Sequence, residues 1–219
     1  MNIILLGAAG SGKGTQAEYI STKYNLKKIA TGDLLRAEIA KKTELGNRIK
    51  SIVQAGSLVD TGLIVRLVLE KLQSTHDDSG AIFDGFPRTV MQAQILDDML
   101  TEQGQKIDIV IELVVSEEDL VRRLSNRYHC AKCNAGYNRL FRNPKIDNVC
   151  DVCQSKEFIV REDDKPEAIR KRFDDYQTQT GLLLPYYEKK GLLSKINGQE
   201  DMKDVSENID LIIKQVIGY

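Results

Sequence analysis

The opening segment constrains this 219-residue chain more than any other. The apolar run Ile3-Ile4-Leu5-Leu6 leads directly into Gly7-Ala8-Ala9-Gly10-Ser11-Gly12-Lys13, and Gln16 to Tyr24 then has helical composition. A short apolar run ended by glycines reads as a buried parallel strand. Such a strand needs helices on both faces of its sheet, so the first two dozen residues already predict an α/β chain. Gly7, Gly12 and Lys13 meet the spacing G-x-x-x-x-G-K. Glycines let the backbone curl so that successive N–H groups face one anion. The following helix adds the positive end of its dipole, and Lys13 adds a mobile charge. A phosphate-binding loop is therefore expected. The next residue is Gly14, with Thr15 one place later. A Ser or Thr directly after the lysine would ligate Mg²⁺, and Gly14 cannot, so the metal must be held by other groups through water.

Strand and helix signals alternate along the remaining chain. Strands are expected at Ala81-Ile82-Phe83, Ile107 to Val115 and Leu193 to Ile196. Helices are expected at Leu34 to Ile39, Leu45 to Gln54, Leu63 to Leu72, Val90 to Glu102, Glu117 to Leu124 and Val205 to Val216. A longer helical stretch runs from Lys165 to about Lys190, where Gly181 and Pro185 should bend or break it. The pattern implies a three-layer α/β fold, a central parallel sheet flanked by helices. The 31 Lys plus Arg and 32 Asp plus Glu give a net charge of −1, which disfavours a protein that binds nucleic acid through bulk charge. No apolar run approaches a membrane span, and no basic leader precedes one, so neither a transmembrane helix nor a signal peptide is expected.

One segment breaks the alternation. Residues 126–163 contain all four cysteines and five Asn, with no helical period, and read as an insertion with its own small core. The spacing Cys130-x2-Cys133-x16-Cys150-x2-Cys153 points to structural zinc. Each C-x-x-C forms a tight knuckle whose two thiolates chelate one tetrahedral ion. The metal would supply folding free energy that so small and polar a segment lacks. Disulfides are the alternative, disfavoured because nothing indicates export. Four thiolates leave no open position, so the metal would be structural, and the adjacent His129 is not needed as a ligand. From Arg122 to Arg142 there are six Lys/Arg and no acid.

Three segments together resemble the adenylate kinases: Gly7 to Thr15, Thr31-Gly32-Asp33-Leu34-Leu35-Arg36, and Asp84-Gly85-Phe86-Pro87-Arg88-Thr89. The resemblance extends over essentially the whole chain, including the cysteine insertion and Arg161 to Arg172. It implies a P-loop core of residues 1–29, 60–125 and 164–219, a helical acceptor-binding domain of residues 30–59, and a zinc-bearing lid of residues 126–163. It implies transfer of the terminal phosphate of ATP to AMP, giving two ADP, with Mg²⁺ as cofactor. It also implies a cytoplasmic monomer that needs no nucleic-acid, membrane or protein partner.

The same resemblance assigns roles to residues. Gly10, Ser11, Gly12, Lys13, Gly14, Thr15, Arg123 and Arg127 would hold ATP, with Arg123 stacked on its adenine. Thr31, Arg36, Val59, Gly85, Arg88, Gln92, Arg161 and Arg172 would hold AMP. The chemistry of these side chains agrees. Guanidinium groups suit a phosphate dianion, and the Gln92 amide has the donor and acceptor that reading a base edge requires. Asp33 and Asp84 would hold Mg²⁺ through its waters. Lys13, Arg88, Arg123, Arg161 and Arg172 would neutralise the transferred charge, and Asp163 and Asp164 would anchor the closed lid. Neither His76 nor His129 is expected to be catalytic, because the attacking phosphate oxygen is already ionised. A kinase of another acceptor, such as UMP or CMP, and a zinc-ribbon nucleic-acid binder are the competing readings. The first is disfavoured by Thr31 with Gln92, the second by the balanced charge.

Four positions depart from the family pattern. Ala9 replaces a usual Pro and should loosen the loop slightly. Asp60 stands one place before the family's usual Asp. Asn126 and Asn134 stand where Gly is common; Asn tolerates a left-handed backbone, and Asn126 should stiffen a lid hinge.

Overall fold

A computed structural model describes residues 1–74 and 80–218. His76 lies outside the described residues. The strands are β1 (Asn2–Leu6), β2 (Lys27–Ala30), β3 (Ala81–Asp84), β4 (Ile109–Val114), β5 (Arg127–Cys130), β6 (Gly136–Asn138), β7 (Phe158–Ile159) and β8 (Leu193–Asn197). The helices are α1 (Lys13–Tyr24), α2 (Thr31–Ala40), α3 (Glu44–Gln54), α4 (Thr61–Gln73), α5 (Val90–Glu102), α6 (Glu117–Ser125), α7 (Pro166–Asp175), α8 (Leu183–Lys189) and α9 (Met202–Ile217).

Five strands form a parallel sheet in the order β2-β3-β1-β4-β8. Alternate side chains of each strand point to opposite faces, which separates the core into two layers. Ile4, Leu6, Phe83 and Val110 pack with Ile64 and Val68 of α4, Leu96 and Leu100 of α5, and Leu183 and Tyr187 of α8. Ile3, Leu5, Ile82, Ile109 and Ile111 pack on the other face with Ala17 and Ile20 of α1 and Ile209 and Ile213 of α9. This is the expected three-layer arrangement. The chain passes from β1 outward to β2, returns to β3, and crosses β1 to reach β4. A crevice for ligands opens where strand order reverses in this way, outside the carboxyl ends of the central strands.

Two elements differ from expectation. The sequence reading omitted β2, an edge strand paired only to β3, whose Lys27 and Lys28 hide the buried Ile29 and Ala30. The stretch from Lys165 does break, but not at Pro185. A π-helical turn at Tyr176–Thr180 runs into Gly181, and Pro185 sits in the first turn of α8, where a missing N–H is tolerated. The buried Glu112, within β4, accepts a hydrogen bond from Tyr176 Oη at 3.3 Å and so ties this π turn to the sheet.

The cysteine segment forms a three-stranded antiparallel sheet, β6-β5-β7, with a core of Cys130, Tyr137 and Cys150. Tyr128, Tyr137 and Phe158 pack ring against ring, their centroids 5.5–5.7 Å apart.

Candidate functional site

The phosphate loop bridges the end of β1 and the start of α1. Gly7 has φ +142, and a Cβ there would lie 2.8 Å from Leu113 O, so a side chain is excluded. Gly12 occupies the N-cap position, leaving the first N–H groups of α1 without a side-chain cap. Those donors and the helix dipole together favour an anion. The buried Ser11 Oγ also has no partner. Lys13 Nζ donates to Gly7 O at 2.6 Å and Ala8 O at 2.9 Å, so the lysine is folded back over its own loop. Desolvation pushes its pKa down from 10.5 to about 8. Asp84 opposes that shift, and Arg88, Arg172 and Arg127 add to it. Four sequence-selected cations therefore lie within electrostatic reach of one another. Asp84 ends β3, and a Cβ on Gly14 would lie 3.5 Å from its Oδ2. Among the described residues Asp84 forms no ion pair, so it is available to the waters of a cation that Gly14 cannot ligate directly.

A cleft of about 650 Å³, measured to its open mouth, lies beside the loop. Thr31, Arg36, Val59, Gly85, Arg88, Gln92 and Arg172 all line it. Sequence reasoning missed its apolar wall of Leu35, Val53 and Ile64, because those residues look like ordinary core positions. Gly85 has φ +76 and would bring a Cβ to 2.8 Å from Thr31 Oγ1, so only glycine leaves this part of the cleft open. Thr31 Oγ1 donates to Gly85 O at 2.9 Å, and Arg88 Nε donates to the same carbonyl at 2.9 Å. Asp60, the shifted acid, caps α4 by accepting from Leu63 N–H at 3.1 Å.

The four cysteine Sγ atoms all lie within 4.8 Å of one another, with Cys130–Cys153 and Cys133–Cys150 at 3.5 Å. All four are free thiols, which excludes the disulfide alternative in this structure. A tetrahedral zinc with bonds of about 2.3 Å places its sulfurs slightly under 4 Å apart, so the cluster fits that ion. The knuckles are built alike. Asn134 N–H donates to Cys130 O and Gln154 N–H to Cys150 O, and both donors have φ near +60. Asn134 therefore takes the left-handed conformation expected of it. Asn126 does not: its φ is −105, and it ends α6 by donating from Nδ2 to Arg122 O at 2.9 Å.

Polar contacts tie this segment to the rest of the chain. Arg127 donates from Nε and Nη2 to Asp164, whose side chain is fully buried, at 2.8 and 2.5 Å. Arg172 donates to Asp163 Oδ2 at 2.9 Å and to Asp164 Oδ1 at 3.4 Å. Asn134 Nδ2 donates to Asp33 Oδ1 at 3.0 Å, while its Oδ1 accepts from Arg161 at 3.4 Å. Asp33 also holds Arg36 at 2.5 Å, so one carboxylate joins the cysteine segment to α2. Burial, then Arg36 and Arg127, lower the Arg161 pKa to about 9. Arg36 Nε and Arg161 Nε are both buried without a partner. Burial and three arginines push His129 down to about 2, too weak a base for a proton step. Arg123 lies apart from these cations. It donates to Gly198 O at 2.8 Å and Ser11 O at 3.4 Å, and its guanidinium is 5.9 Å from the exposed Phe141 ring. Sequence reasoning passed over Phe141 because a lone exposed aromatic in a loop carries no motif.

A phosphate loop at a sheet switch point, a second cleft beside it and arginines from several elements define a P-loop phosphotransferase. The sequence profile of adenylate kinase matches residues 5–192. The adenylate kinase of Rhizorhabdus wittichii is 46% identical over 213 residues, covering 97% of this chain and 99% of the relative. That of Paramagnetospirillum magneticum is 44% identical over 213 residues, covering 97% and 98%. That of Archaeoglobus fulgidus is 44% identical over 216 residues, covering 99% of each. The chain belongs to the adenylate kinase family. Among the described residues no helix is long and apolar enough to cross a membrane.

Proposed function

We propose that this chain catalyses ATP + AMP ⇌ 2 ADP by positioning and charge neutralisation, as a cytoplasmic monomer whose partners are its two nucleotides. The observation that carries the reading is the concentration of cations at the loop and cleft: Lys13, whose pKa is lowered by burial and by Arg88, Arg172 and Arg127, together with the buried, unpartnered Nε atoms of Arg36 and Arg161. Such a cluster is unfavourable alone and is stabilised by polyanions.

In this reading the loop residues Gly10 to Thr15 cradle the β- and γ-phosphates of ATP, with Lys13 leaving its carbonyl partners to reach them. Arg123, Arg127 and the Phe141 ring flank the donor nucleotide, and a planar guanidinium suits the adenine face. The cleft takes AMP, with its phosphate on Arg36, Arg88, Arg161 and Arg172 and its base near Thr31, Val59, Gly85 and Gln92. A phosphate oxygen of AMP attacks the γ-phosphorus, and the bond to the β,γ-bridging oxygen breaks in line. Charge moves from the attacking to the leaving oxygen while fixed cations stabilise both. Asp84 and Asp33 would hold Mg²⁺ through its waters; the ion neutralises phosphate charge when bound. The four cysteines would hold Zn²⁺ as a structural ion of a lid spanning residues 126–163, opposite an acceptor domain of residues 30–59. Closure of the two excludes water, which would otherwise hydrolyse ATP.

The test is inhibition by two adenosines joined through a polyphosphate. The reading predicts binding far tighter than ATP or AMP alone, because one molecule fills both sites. Affinity no better than ATP, or equal turnover of AMP, GMP, CMP and UMP, would sink it.

A further inference from the structure

Helix α5 opens as Thr89-Val90-Met91-Gln92, with Thr89 capping and Gln92 three residues in. A glutamine at that position commonly reaches back to a backbone N–H at the helix start. Gln92 reaches one residue further back, past the Thr89 cap: its Oε1 accepts from Arg88 N–H at 2.8 Å. Judged by this bond alone, Gln92 is a capping residue. Its other end adds a second constraint. Gln92 Nε2 donates to Thr61 Oγ1, on the first residue of α4, at 3.2 Å. The Arg88 N–H can only donate, so it selects the amide oxygen and turns the nitrogen toward Thr61. An amide has two acceptor lone pairs and two hydrogens. Cap and hydroxyl occupy one of each. One acceptor and one donor remain, on a side chain that is 4% exposed and lines the cleft.

We propose that Thr61 is a specificity-positioning residue, holding the Gln92 amide so that its remaining donor and acceptor meet a 6-aminopurine and not a 6-oxopurine. The inference rests on the reading of the cleft as the AMP site. A 6-aminopurine presents an N–H donor beside a ring-nitrogen acceptor; a 6-oxopurine presents a carbonyl acceptor beside an N–H donor. An amide free to turn over serves either edge. Turning over here would set its NH₂ against the Arg88 N–H. Arg88 thus fixes the polarity, and Thr61 fixes where the amide plane lies, from a different helix. Asp60, not Thr61, caps α4, so the Thr61 hydroxyl is not required to start that helix. Its neighbour in the sequence carries the structural role and leaves the hydroxyl to Gln92.

The experiment compares kcat/KM for AMP and GMP in wild type, Thr61→Val, Thr61→Ser and Gln92→Ala, with Tm measured for each. Loss of one partly buried hydrogen bond is worth up to about a tenfold change. The AMP-over-GMP ratio should fall about tenfold in Thr61→Val, mainly through the KM for AMP, and should recover in Thr61→Ser. An unchanged ratio in Thr61→Val, with the ratio lost in Gln92→Ala, overturns the role of Thr61 while leaving the cleft reading intact. A ratio retained in Gln92→Ala overturns both. A lowered Tm in Thr61→Val without a change in ratio makes the hydroxyl structural and overturns the proposal. Should Thr61→Val not fold, Thr61→Ala gives the same readings.

Discussion

The two segments that flank the cleft are held in different ways. Residues 30–59 contribute Leu35, Ile49 and Val59 to the same apolar cluster as the sheet, α5 and α8. Residues 126–163 have a separate cluster whose buried members are Cys130, Tyr137 and Cys150. They reach the rest of the chain largely through polar bonds, such as Arg127 to Asp164 and Asn134 to Asp33. Shared apolar area stabilises by burial, at about 25 cal/mol per Å². A segment without it needs another source, and a metal ion held by the four cysteine sulfurs, 4.8 Å or less apart, would supply one. One segment should therefore unfold with the core, and the other should unfold when its metal is removed.

The largest expected effect breaks that comparison at the metal. Replacing Cys150 with Ser, or removing zinc with a chelator, should abolish amide protection in residues 126–163 and lower turnover by orders of magnitude. Protection in the central sheet should survive. Hydrogen exchange read segment by segment checks this; uniform loss of protection would show that the two segments are not independent. A smaller effect is expected at Ile49, which is 1% exposed in the shared cluster. Ile49→Ala should cost about 2–5 kcal/mol, as truncation in a packed core does. Denaturant unfolding should show the loss in the global transition. A separate early transition confined to residues 30–59 would contradict the shared core.

Charge sharpens the contrast further. Lys13 is held near 8, well below its ordinary 10.5, chiefly by desolvation. In the free enzyme it should lose its proton as pH rises through about 8, so kcat/KM for ATP should fall above that value. The stability effect runs the other way. Between about 8 and 10.5 the unfolded chain binds the proton and the folded chain does not, so this group's destabilising contribution is relieved as pH rises. The alkaline limb should be absent in Lys13→Met, whose rate is already low. A pH profile flat to pH 10 in the wild type would contradict the assignment. The smallest effect is expected at Asn134, whose amide links the cysteine segment to Asp33. Asn134→Gly keeps the left-handed turn and removes the link. It should raise the KM for AMP roughly threefold, as an exposed hydrogen bond would. No change in KM would reduce the contact to a passive one.

The same contrast explains what could be read from sequence. The strand–loop–helix at Ile3 to Lys13, the alternation of strands and helices, and the cysteine spacing each follow from local chemistry, and each appears in the structure. β2 was illegible because an edge strand needs only one apolar face, and Lys27-Lys28 conceals it. The stretch from Lys165 does break at Gly181, as its residue type implies, but the π turn that precedes it at Tyr176–Thr180 carries no motif; Tyr176 bonds the distant Glu112 there. Asn126 and Asn134 looked equivalent as residues at glycine positions. Only the fold shows one ending a right-handed helix and the other making a left-handed knuckle. The arginines were legible as motif members, and so were Asp163 and Asp164 as anchors; the pairing of Asp33 with Arg36 is local to α2, whereas that of Asp164 with Arg127 is set by tertiary approach.

The most direct test of the account measures nucleotide stoichiometry in one assay, with ATP and AMP together and with ATP alone. The account predicts two ADP formed for each AMP consumed, ATP turnover lower by orders of magnitude when AMP is absent, and loss of both activities in folded Lys13→Met. ATP hydrolysis that proceeds equally well without AMP, or near-normal transfer by Lys13→Met, would contradict it.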